Sequence, residues 1–274
     1  MIIEQAFVAL PELLVGNHYA VQNYEAGIVG VLSMAILQEL NGRNLAHPIQ
    51  HLQAERRYHQ ASSRRADLYV NIKKVMVANR RLGNYGWRHH NWVEAKFYRN
   101  KSSVQRHATN KAKYQGQLIA DLIRLTCLVP LTLGNRDPNG RYLLHVYDDE
   151  PRYYLAYQER PWVRALHEPG RQDLVIDQLA AESTTAKSEF GHGLQDLQIQ
   201  ATVTNLVNYP VTVEGGGTHY WCVLTRFDAF SVTLNQSSFQ IHTNRVTGER
   251  PAGAYADIAS TVGGQLGVTK PSET

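Results

Sequence analysis

At 274 residues, with 43% hydrophobic and 19% charged side chains, the chain has the composition of a globular protein able to build a substantial core. No apolar run of about eighteen residues occurs, and Met1-Ile2-Ile3-Glu4 lacks a basic stretch leading into an apolar one; neither a membrane span nor a signal peptide is indicated, and a cytoplasmic protein is expected. The net charge of +4 hides an asymmetry, because Arg43 to Lys113 holds sixteen Lys/Arg against three acidic residues, whereas the rest of the chain holds twelve against twenty-one. Aromatics and amides are interleaved with the basic residues, as in Arg80-Arg81-Leu82-Gly83-Asn84-Tyr85-Gly86-Trp87-Arg88, which suits a phosphate backbone with stacked bases.

In chain order, the first pattern is a helix over Asn23 to Leu40, with Ile28, Val29, Leu32, Ala35, Ile36 and Leu40 at helical spacing, Asn23 as N-cap and Asn41-Gly42 as the stop. Glu25 falls on the apolar side of that helix, and Glu39 on nearly the same side. An inward carboxylate costs several kcal/mol unless it is paired or ligates a cation. Ile49 to Tyr58 alternates as a first strand, and Asp67-Leu68-Tyr69-Val70 reads as a second. The basic connection from Asn71 to Asn91 carries His89 and His90, expected as surface or phosphate-contacting groups because no second cluster completes a zinc site. Trp92 to Phe97 is a third strand, with Glu94 and Lys96 on one face and Val93, Ala95 and Phe97 on the other.

A helix follows over about Asn110 to Leu128, with Tyr114, Leu118, Asp121, Leu122 and Leu125 on one face, and then a strand over Arg141 to Tyr147. Beyond it, Tyr153 to Leu166 and Leu174 to Ala181 read as helices. Leu197 to Val207 and Tyr220 to Leu234 read as strands, with Glu214 to Gly217 as a turn between them. Residues 246–274 read as a loose tail. Cys127 and Cys222 lack metal-ligand spacing and are expected to be buried free thiols.

If the second and third strands pair, Asp67, Glu94 and Lys96 meet: two carboxylates and an ammonium, a composition suited to a hard cation that takes oxygen ligands and keeps waters. Asp67 followed by Glu94-Ala95-Lys96, each on a hydrophobic strand, resembles the active-site signature of the PD-(D/E)XK nuclease superfamily, the restriction-endonuclease-like fold. Ala66 stands where that family has proline, which changes the turn rather than the ligands. The resemblance implies an α/β domain with an αβββαβ core over about residues 23–148, a central mixed sheet flanked by helices, and C-terminal strands extending it over 149–245. It also implies Mg²⁺, with Mn²⁺ as substitute, held by Asp67, Glu94, the main-chain carbonyl of Ala95 and a helix glutamate, for which Glu25 is the choice and Glu39 the reserve. Lys96 would orient or deprotonate water or neutralise developing charge.

The implied activity is phosphodiester hydrolysis in nucleic acid, DNA above all, in restriction, phage defence or repair, with a homodimer if both strands of a duplex are cut. Arg64, Arg65, Arg80, Arg81, Arg88, Arg99 and Lys101 are the expected phosphate contacts. Two other readings stand beside it: an inactive nucleic-acid-binding module, and an interaction protein with an acidic partner.

Overall fold

The structure, a computed structural model, describes residues 2–16, 25–58, 63–72, 88–99, 107–131, 139–156, 158–208, 220–242, 245–247 and 251–267. Among these, nine strands form one sheet: β1 (Leu52–Arg57), β2 (Arg65–Asn71), β3 (His90–Tyr98), β4 (Gly140–Tyr147), β5 (Gly170–Ile176), β6 (Gln198–Asn208), β7 (Trp221–Leu234), β8 (Ser237–His242) and β9 (Arg245–Thr247). Their order is β1-β2-β3-β4-β7-β6-β5, with β8 paired to β7 and β9 to β8. Only β3 and β4 are parallel. A parallel pair needs a crossover, and the helix α3 (His107–Ile123) lies on that connection. The remaining helices are α1 (Ile2–Gly16), α2 (Glu25–Gly42), α4 (Pro161–Ala165), α5 (Thr184–Phe190) and α6 (Pro251–Gln265). The protein is therefore α/β, with a mixed, mostly antiparallel open sheet flanked by helices.

Strand alternation sorts the side chains into two cores. Leu68, Val70, Val93, Ala95, Leu144 and Val146 face α1 and α2, whereas Trp92, Tyr98, Leu143 and Tyr147 face α3, α5 and α6. β4 is buried along its whole length, as a central strand covered on both faces must be. α1 is tied down by Glu4, whose carboxylate accepts from Arg226 of β7 at 3.1 Å and from the Tyr142 hydroxyl at 3.2 Å.

The segments from α2 through β4 appear where the sequence puts them, within a few residues. Four regions differ. α1 is a helix that sequence reading passed over, although Ile2, Ile3, Ala6, Phe7, Leu10 and Leu14 form its buried stripe. The expected helix over Leu174 to Ala181 is instead the strand β5, followed by a short 3-10 turn at Leu179–Ala181. There Leu174 and Ile176 turn inward and Val175 outward, a period of two. Over Tyr153 to Leu166 the described residues form only a 3-10 turn at Pro151–Tyr153 and the five-residue α4, each opened by a proline, which suits a first turn and not a helix interior. In the expected tail, 251–265 is the helix α6, with Tyr255, Ile258, Ala259 and Val262 buried against the sheet. Cys127 and Cys222 are free and buried, as expected, and burial pushes the Cys127 thiol up to about 12. Among the described residues no helix is long and apolar enough to cross a membrane.

Candidate active site

β2 and β3 pair from Asn71↔His90 to Leu68↔Val93 and then part. Beyond that point the N–H of Ala95 donates to Asp67 Oδ2 at 2.7 Å, so a side chain takes the place of a main-chain partner. β2 meanwhile stays in register with β1 through Arg56↔Ala66 and Arg57↔Arg65. Glu55, opposite Asp67 in that register, has φ of 54°, a left-handed conformation that a glutamate rarely adopts. The sheet thus opens into a notch between β2 and β3, with Asp67 on one wall and Glu94 on the other.

Glu94 is 2% exposed. Its Oε1 accepts from the Tyr58 hydroxyl at the end of β1, and its Oε2 lies 3.4 Å from Arg124 Nη1. The same Nη1 also meets Asp121 Oδ1, three residues earlier in the chain. Asp121 is 1% exposed, and its Oδ2 has no hydrogen-bond partner among the described residues. Lys96, two residues along β3 from Glu94, points its Nζ at Glu25 Oε2 in the first turn of α2, 2.9 Å away.

Arg124 reaches the notch because α3 does not end there but widens into a π-helical turn, Arg124–Leu128, closed by the Val129 N–H donating to the Arg124 carbonyl. The far end of that turn is held by Arg141 of β4, itself 1% exposed. Arg141 donates from Nε to Leu125 O at 2.8 Å, from Nη1 to Asn139 O at 2.7 Å, and from Nη2 to Val129 O at 3.1 Å and Pro130 O at 3.2 Å. The Tyr255 hydroxyl of α6 donates to Leu128 O at 3.0 Å.

The cluster therefore sets four carboxylates (Glu25, Asp67, Glu94, Asp121) against two cations (Lys96, Arg124). If all ionise, the sum is −2. Burial is the main reason that Asp67 is pushed from 3.8 up to about 7, with Glu25 and Asp121 adding to the rise and the Ala95 N–H opposing it. Burial, reinforced by Asp121, lifts Glu94 well above the usual carboxylate range, and burial lifts Asp121 also, against the pull of Arg124. Burial favours a neutral Lys96, but Asp121 and Glu25 outweigh it and hold the ammonium above its ordinary range.

A divalent cation would balance the charge of −2 that the cluster carries when all of its groups ionise. Among the described residues no three His, Cys, Asp or Glu side chains converge to enclose an ion. Mg²⁺ does not require such a cage, since it commonly uses one or two carboxylates and completes its shell with water and substrate phosphate. The Asp67–Glu94 pair fits that kind of open site.

Sequence reasoning placed Asp67, Glu94, Lys96 and Glu25 in one neighbourhood, and the structure brings them together, with Glu25 against Lys96. Asp121 and Arg124 were missed as site residues. Asp121 did carry a signal, since it is a carboxylate on the apolar face with Leu118, Leu122 and Leu125, the argument used for Glu25. Arg124 had none, because its direction depends on the π turn. Glu39 is half-exposed and pairs with Arg43 at 3.6 Å, away from the notch.

The expected phosphate contacts divide. Arg88 is buried, and the half-buried Arg64 donates from Nη2 to Leu266 O at 2.6 Å. Arg65 is exposed and faces Glu55 at 3.3 Å, while Arg99 is half-buried at the end of β3. Arg80, Arg81 and Lys101 lie outside the described residues, as does the expected turn at Glu214 to Gly217. His90 Nδ1 is engaged by the Tyr69 hydroxyl at 2.5 Å. Comparison with family models, with curated proteins and with solved structures finds no match for the chain.

Proposed function

We propose that the protein is a divalent-metal-dependent phosphodiesterase acting on nucleic acid, with DNA as the favoured substrate. The observation that carries the reading is that Asp67, half-buried and bonded to the Ala95 N–H, and the buried Glu94 flank the point where β2 and β3 part, with Lys96 two residues further along β3. The order α2-β1-β2-β3-α3-β4, with β3 and β4 parallel, accords with the αβββαβ core of the restriction-endonuclease-like fold that the motif implies.

Asp67 and Glu94 would hold Mg²⁺, or Mn²⁺ in its place, with the Ala95 carbonyl as a further donor. When bound, the ion supplies positive charge at the scissile phosphate and lowers the pKa of a coordinated water. The chain's own groups do the rest. The Tyr58 hydroxyl fixes the orientation of Glu94. Lys96 keeps its proton at neutral pH, so it donates to the attacking water or to a phosphate oxygen and does not act as the base. Glu25 holds that ammonium in place and so serves Lys96 rather than the ion. The basic surface around Arg65 and Arg99 neutralises flanking phosphates.

The test is calorimetric titration with Mg²⁺ of the wild type and Glu94→Ala, together with cleavage of a duplex in Mg²⁺ and in EDTA. Metal uptake and cleavage are expected in the wild type, with both falling to background in Glu94→Ala while DNA binding persists. Full cleavage by Glu94→Ala overturns the assignment, and DNA binding without any Glu94-dependent metal uptake marks a binding module instead.

A further inference from the structure

The arginine at the mouth of the notch has a geometry that pairing with acids alone does not explain. Arg124 sends one nitrogen, Nη1, to both Glu94 and Asp121, and among the described residues Nε and Nη2 have no hydrogen-bond partner. Its side chain is 24% exposed, whereas those of Glu94 and Asp121 are 3% and 2% exposed, so of the three it is the one that reaches solvent. A guanidinium that served only to neutralise two carboxylates would present its planar fork to them. Here most of the fork is turned away.

We propose that Arg124 is a displaceable counter-ion that becomes a phosphate-binding residue. Without metal it neutralises Glu94 and Asp121. When a divalent ion takes over that charge, Arg124 is released toward solvent and its Nε and Nη2 bind a non-bridging oxygen of the phosphodiester. The proposal rests on the phosphodiesterase reading above.

Two features of the chain fit this role. The π turn that begins at Arg124 sets its direction, and single π turns inside α-helices recur at functional positions. The turn is anchored independently of Arg124, through Arg141 and Tyr255 at its far end, so the side chain can move while the backbone stays fixed. The electrostatics also distinguish displacement from simple coexistence. An ion of charge +2 on Glu94 lies within a few ångströms of the guanidinium, and two cations at that separation repel each other even at high effective dielectric.

The prediction is that Arg124 opposes metal binding and favours catalysis, so its removal moves the two measurements in opposite directions. Arg124→Met is compared with wild type, and the double variant Arg124→Met with Asp121→Asn is compared with Asp121→Asn alone, by Mg²⁺ calorimetry without nucleic acid and by cleavage of a duplex at saturating Mg²⁺. The double variant removes one acid with the arginine, which protects the fold against two unpaired buried carboxylates. Mg²⁺ affinity is expected to rise by about tenfold or more, while cleavage falls by about a hundredfold or more through the lost contact to the phosphate. Mg²⁺ binding by the folded double variant that is no tighter than that of Asp121→Asn alone overturns the proposal and leaves Arg124 as a structural partner of Asp121. A wild type that neither takes up Mg²⁺ nor cleaves overturns the phosphodiesterase reading itself, and this proposal with it.

Discussion

Two arginines bracket the π turn at the end of α3, and they are held in opposite ways. Arg141 gives Nε, Nη1 and Nη2 to four main-chain carbonyls, at 2.7 to 3.2 Å, and its guanidinium lies 4.9 Å from the centre of the Phe230 ring. Its partners are neutral, so burial pulls it down to about 9, still charged at neutral pH. Arg124 faces anions, which outweigh its burial and hold it above its ordinary range, yet it uses one nitrogen on them. A buried cation whose donors are all used is a structural fastening. A half-used cation beside two buried acids keeps donors in reserve. In the notch Asp121 Oδ2 is also buried without a partner among the described residues.

The largest test of that contrast is Arg141→Met, which takes the guanidinium from the carbonyls of Leu125, Val129 and Asn139, while Pro130 O keeps the Asn139 Nδ2 donor at 2.7 Å. A loss of about 3–5 kcal/mol in urea unfolding is expected, with or without Mg²⁺. A variant as stable as wild type would dissolve the distinction between the two arginines.

A somewhat smaller effect is expected at the notch, and it depends on pH. Because the Asp67 carboxyl is raised to about 7 from 3.8, the folded state holds a proton that the unfolded chain gives up at lower pH. The stabilisation from that proton is fully present below about pH 4 and is lost as pH rises through about 7. Metal-free wild type should therefore lose roughly 2–4 kcal/mol relative to Asp67→Asn between pH 4 and pH 8. Denaturant melts of both proteins across that range measure it, and a constant gap would mean that Asp67 is ionised in the folded state throughout.

The smallest effect belongs to Glu25→Gln, since the pair with Lys96 is partly solvent-exposed, with side chains 35% and 18% accessible. The stability change should be about 0.3–1 kcal/mol. Mg²⁺ affinity should be nearly unchanged if Glu25 serves Lys96, whereas a marked weakening would return Glu25 to the metal shell.

The strand-borne part of this site was legible because a strand declares the direction of its side chains with a period of two. Glu94 and Lys96 could be assigned to one face without knowing the fold. The notch itself was not legible, since it depends on β2 parting from β3 at Asp67 and on the left-handed Glu55, neither of which leaves a residue signature. Asp121 was visible as a carboxylate on an apolar face but was read as part of a helix stripe. β5 was misread because short apolar runs fit both periods, and only pairing with β6 decides between them. α6 was missed because Gly, Ala and Thr lower its apparent hydrophobicity, although its buried residues recur at helical spacing. Arg88 reads as a surface cation in a basic run and is buried in the fold, a reminder that charge density along a chain does not fix the depth of any one residue.

The fastening of the turn has a consequence for the order in which the molecule is made. Tyr255 reaches back 127 positions to the carbonyl of Leu128, and Arg64 at the entrance to β2 is joined to Leu266, 202 positions away. A ribosome that has delivered every acid and base of the notch, through Arg124, has still not delivered the residues that steady the turn carrying Arg124. Translation thus runs more than a hundred codons past the last charged group of the cluster before its geometry can settle, and a nascent chain released before Tyr255 carries the charged groups on an incompletely supported turn.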